Sequence, residues 1–76
     1  MKEIFYEVLG DNRYSIYESE SDLCKVTYSF GINSSCEKSF VNDVTSVKET
    51  AFEIMDALVR NAVSPVHLIE VVEDFI

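Results

Sequence analysis

The chain has 76 residues, of which 47% are hydrophobic, and fourteen acids against six bases give it a formal net charge of −8. That length is expected to make one small globular domain spanning 1–76, in the range where folding buries only about 60% of the chain's surface. The apolar content separates it from disordered acidic chains, and the charge argues against direct contact with DNA, RNA or an anionic membrane, each of which needs a positive footprint.

The first third reads as antiparallel strands. In KEIFYEVLG, strict alternation puts Ile4, Tyr6 and Val8 on the core face and Glu3, Phe5, Glu7 and Leu9 on the other, and GDN supplies a turn. The return strand RYSIYES places Tyr14 and Ile16 on one side and Arg13, Ser15 and Tyr17 on the other. SESESD then breaks the apolar period, so Glu18, Glu20 and Asp22 are expected on a second turn. The stretch CKVTYSFGI alternates without error, with Cys24, Val26, Tyr28, Phe30 and Ile32 inward and Lys25, Thr27 and Ser29 outward. After the turn residues NSS, CEKSFV fits a short fourth strand with Phe40 on the face of Cys36 and Lys38.

From SVKE onward the period becomes helical. Ser46 and Glu49 have the spacing of a capping box, in which each side chain satisfies a backbone N–H at the other's position. Val47, Ala51, Met55, Leu58 and Ala62 form an apolar stripe widened by Phe52, Ile54 and Val59, while Glu49, Glu53, Asp56 and Arg60 line the opposite side. Asp56 and Arg60 are ordered for an i, i+4 ion pair. Pro65 stops this helix. The segment after it sorts best as a second helix, with Ser64 as N-cap, Pro65 in the first helical position, and Leu68, Ile69, Val72 and Ile76 toward the core. His67, Glu70, Glu73 and Asp74 then face solvent. A terminal strand is the alternative, giving βββ(β)αβ in place of βββ(β)αα. The expected fold class is α+β: an antiparallel sheet of three to four strands followed by two helices packed on one face.

Chemistry-bearing residues are sparse. Cys24 and Cys36 are too few for a secreted disulfide framework, and with no CxxC pair and one histidine they offer no zinc motif. Two glycines cannot build a phosphate loop, and the carboxylates sit on solvent faces where nothing separates their pKa values for acid–base work. No enzyme, cofactor or metal is therefore expected. No charged-then-apolar leader or bilayer-length apolar run is visible, which points to the cytoplasm.

What remains is acid and aromatic surface. Glu18, Glu20 and Asp22, Glu49, Glu53 and Asp56, and Glu70, Glu73 and Asp74 form three acidic groups, with Tyr17 as an aromatic contact on the sheet face away from the core. A helical step of four residues advances about 6 Å, close to the spacing of successive phosphates, so carboxylates at that step can imitate a phosphate track. In size and charge the chain resembles the small inhibitors with which phages and mobile elements block nucleic-acid-binding host proteins, anti-CRISPR and anti-restriction proteins among them. That likeness rests on no motif and carries no residue. It implies a non-enzymatic module that binds a basic protein surface. The contrasting expectation is a homodimeric structural or accessory protein whose acidity serves solubility alone.

Overall fold

A computed structural model describes residues 1–20 and 25–75 of the protein. Strands β1 (Lys2–Leu9), β2 (Asn12–Glu20), β3 (Val26–Asn33) and β4 (Lys38–Thr45) form one antiparallel sheet in the order β1-β2-β3-β4. Helix α1 (Lys48–Arg60), a single 3-10 turn (Pro65–His67) and a short helix α2 (Leu68–Glu73) follow, so the expected sheet followed by two helices is what the chain forms. The terminal segment is helical. Asp22, Cys24 and Ile76 lie outside the described residues.

The core lies between the helices and one sheet face. Tyr14 and Ile16 of β2, Tyr28, Phe30 and Ile32 of β3, Ala51, Ile54, Met55 and Leu58 of α1, and Leu68 and Val72 of α2 are all buried. Each isoleucine, leucine, valine or methionine among them contributes about 1.5–3 kcal/mol by leaving water. One buried hydrogen bond pins the layers: the Tyr14 hydroxyl donates to the carbonyl of Val63 at 2.9 Å, tying β2 to the loop after α1.

Strand β1 corrects the alternation expected of it. Glu3 pairs with Tyr17 but Phe5 pairs with Ile16, so Ile4 is an extra residue in a β-bulge. A slip of one residue moves every later side chain to the other face. Phe5 and Glu7 thus stand over the core with their partners Ile16 and Tyr14, whereas Tyr6 and Val8 share the open face with Ser15 and Arg13. Tyr6 and Val8 are accordingly 56% and 59% exposed. At the hairpin, Gly10 with φ 59° takes the left-handed geometry of a two-residue loop, which costs glycine nothing.

The second strand also runs further than its composition implies. Glu18 and Glu20 are strand residues, not turn residues, because β3 supplies partners: Glu18 lies opposite Tyr28 and Glu20 opposite Val26. The fourth strand is eight residues long rather than a short return, extended past Val41 by an irregularity at which Asp43 takes φ 49°. There the Asp43 N–H donates to the Ser29 hydroxyl at 3.0 Å, which gives that buried outward-facing serine its partner.

Three helix details differ from the pattern. Ser46 caps nothing: α1 begins after Val47, whose N–H donates to the Thr45 hydroxyl at 3.1 Å, so Thr45 holds the entry turn and no capping box forms with Glu49. Ala62 does not extend the apolar stripe. It lies past the helix end at φ 48°, where its N–H reaches Val59 and that of Val63 reaches Leu58, the two bonds of a Schellman ending. In α2 the inward residues are Leu68 and Val72 with Val71 partly buried, while Ile69, on the flank of the helix opposite Val71, is 52% exposed. Ser64 precedes that turn without a side-chain capping bond.

Candidate protein-binding site

An aromatic and acidic surface lies where α1 borders β1, one edge of the sheet. The β1 bulge turns Phe5 toward the helix, and its ring meets Phe52 edge-to-face with centroids 5.4 Å apart. Phe52 sits at the margin of the α1 stripe, so it packs on Phe5 with one side and remains 37% exposed on the other. A shallow groove lined by Phe5, Glu7, Phe52, Met55, Asp56 and Val59 runs along this junction. Beside it Lys48, Glu49, Phe52, Glu53 and Asp56 form a flatter, mainly acidic surface. The helix's 3.6-residue turn sets Glu49, Glu53 and Asp56 in one row because they follow at steps of four and three.

Asp56 forms the expected ion pair with Arg60, both exposed. Such a pair contributes about 0.3–0.5 kcal/mol and leaves the row strongly acidic. At the other acidic groups the carboxylates are more occupied. Glu18 is half-buried on the helix-covered face, where its carboxylate accepts from the Tyr28 hydroxyl at 3.3 Å. Desolvation of Tyr28, and secondarily the charge and hydrogen bond of Glu18, push the Tyr28 phenol above its usual range. Glu70 faces the exposed His67 ring, with Oε2 and Nδ1 3.5 Å apart. Glu73 and Asp74 are exposed at the end of α2, a helix that packs over β4. Asp11 accepts from both the hydroxyl and the N–H of Ser35, and these two bonds hold its carboxyl below the ordinary aspartate value.

Of the residues expected at a binding surface, the structure groups Glu49, Glu53 and Asp56 on one helix face and puts Glu70, Glu73 and Asp74 on another. Glu18 and Glu20 lie on the covered face of β2 by strand parity, while Tyr17 is on the opposite, open face, its ring 5.5 Å from that of Phe40. Phe5 and Glu7, which strand alternation puts on the other face, and Phe52, which helical periodicity assigns to the core stripe, are the contributors outside the expected set. The sequence carries no signal for the bulge that redirects Phe5 and Glu7, but the place of Phe52 at the stripe's edge was a readable cue to its exposure. Among the described residues, no group of three or more His, Cys, Asp or Glu side chains is arranged to hold a metal ion, and no helix is long and apolar enough to cross a membrane. Cys36 sits exposed in the β3–β4 turn.

These features define a small acidic α+β domain with an aromatic groove at a sheet edge. The chain belongs to a family of unknown function (DUF6514), whose model matches residues 3–76. Neither the curated proteins nor the solved structures contain a match to it.

Proposed function

We propose that the protein is a non-enzymatic binding module that inhibits a basic, nucleic-acid-handling protein, in the manner of phage anti-defence proteins. The observation that supports this reading best is the α1 surface, where partly exposed Phe52 is surrounded by Glu49, Glu53 and Asp56, with Glu7 across the groove. Carboxylates attract a cationic partner at long range and speed encounter. A desolvated aromatic centre is what retains it. Glu49 and Glu53 are one helical step apart, about 6 Å, so Lys or Arg side chains that receive successive phosphates can receive them instead. The partner's nucleic acid is thereby displaced.

The test begins with proteins captured by the immobilised chain and proceeds to competition. A captured basic protein should lose its labelled nucleic acid as the chain is titrated in. Joint substitution of Glu49→Gln, Glu53→Gln and Asp56→Asn should slow association about tenfold or more at low salt and flatten its salt dependence, since steering acts through unscreened charge. Phe52→Ala should chiefly speed dissociation. A partner that holds its nucleic acid unchanged in the presence of the chain would refute the inhibitor reading.

A further inference from the structure

The helices cover one face of the sheet, and the other face is built unlike the rest of the surface. Tyr6 and Val8 of β1, Tyr17 of β2 and Phe40 of β4 stand on it, with Tyr6, Val8 and Phe40 between 44% and 59% exposed. Gly31 makes the centre flat. A side chain there would begin 3.3 Å from the Tyr17 ring and 3.4 Å from the Phe40 ring, so its absence lets those rings meet across β3. Charge on this face is balanced at the strand positions. Arg13 pairs with Glu3 at 2.8 Å and lies over the Tyr6 ring at 4.3 Å, Asp43 accepts from the Thr27 hydroxyl, and Lys38 stands beside Phe40. The helical side carries Glu7, Glu18, Glu20, Glu49, Glu53, Asp56, Glu70, Glu73 and Asp74 against Lys2, Lys48 and Arg60.

We propose that this open sheet face is the interface through which two copies of the chain form a symmetric dimer. Charge selects the occupant. A basic partner has no reason to prefer the one face where cations and carboxylates balance, and an acidic copy approaching any other face meets like charge. A two-fold axis lets the Arg13 of each copy approach the Glu3 region of the other, the self-complementarity an isologous contact needs. The area suffices as well. Four strands of eight or nine residues, at about 3.4 Å per residue and about 4.8 Å between strands, present roughly 500 Å² per copy in projection. Two copies bury about 1,000 Å², the size at which specific interfaces begin. The proposal is independent of the inhibitor reading, because it leaves α1 and α2 outward on both copies.

Sedimentation of the full chain across micromolar to sub-millimolar concentrations provides the test. A monomer–dimer equilibrium is expected, strengthened modestly by salt as the repulsion between the two acidic bodies is screened. Phe40→Glu and, on another strand, Val8→Glu should each weaken it at least tenfold, with circular dichroism confirming that the fold persists; the highly exposed Val8 makes that second variant safe for folding. Val66→Ser, an exposed apolar position on the helical side, should change the dimer constant less than twofold. A chain that stays monomeric, a dimer indifferent to both sheet-face substitutions, one broken by Val66→Ser, or a sheet face that binds only a different protein would each overturn the proposal.

Discussion

The Tyr28 hydroxyl and the Glu18 carboxylate meet at the rim of the core, and their proximity has a measurable sign. Desolvation disfavours the phenolate, and a carboxylate 3.3 Å away disfavours it further, so both act to raise the Tyr28 pKa above 10.0. The folded state therefore keeps this proton longer than the unfolded chain does. The associated stabilisation is fully present below the ordinary tyrosine pKa and is lost as pH rises through the raised one. An alkaline titration followed by phenolate absorbance should show Tyr28 ionising late. Glu18→Gln should bring it only part of the way back, because desolvation, the larger cause, remains. A return to the ordinary value would mean that Glu18 alone sets the shift. Glu18 thus has a structural role within β2, where composition alone implies an exposed acidic turn.

The end of α1 shows why some elements were legible in the sequence and others were not. Periodicity located the helix and its buried Ala51, Ile54, Met55 and Leu58, because burial on one face imposes a 3.6-residue repeat that no other structure satisfies. It also located β3, whose alternation continues from Val26 to Ile32. It failed at Ala62, which extends the apolar spacing by composition but sits left-handed at φ 48° as the residue that closes a Schellman ending. That geometry costs a Cβ-bearing residue about 1–2 kcal/mol, so Ala62→Gly should stabilise the protein by about 0.5–1 kcal/mol after glycine's greater unfolded-state freedom is deducted. Urea denaturation measures this directly, and a loss of stability would count against the assigned helix end. The β1 bulge is illegible for a related reason. One inserted residue reverses the facing of Phe5, Glu7, Tyr6 and Val8 without changing the composition of the strand, so both the aromatic groove and the open face had to come from pairing.

Across the whole molecule, a charge of −8 on 76 residues makes the folded state repel itself, since compaction brings like charges together. The α1 row concentrates that cost. Glu53 has Glu49 four residues before it and Asp56 three after it, two like-charge pairs at helical contact spacing that are each unfavourable by about 0.2–0.5 kcal/mol at low ionic strength. Asp56 is offset by Arg60 and Glu49 by its place in the first helical turn, where the helix dipole favours a negative charge. Glu53 has neither compensation among the described residues. Glu53→Gln should therefore raise stability by about 0.4–1 kcal/mol at low salt, and the gain should fade as salt shortens the screening length to about 3 Å at 1 M. The same substitution removes a carboxylate beside Phe52 and should slow capture of a basic partner. Denaturation at low and high salt, run beside association kinetics on the same variant, reads both effects. A variant that is more stable and slower to bind places the acid row in recognition, maintained at a cost to the fold. Greater stability with unchanged association would make the row a solubility coat and would favour the dimeric accessory protein over the inhibitor.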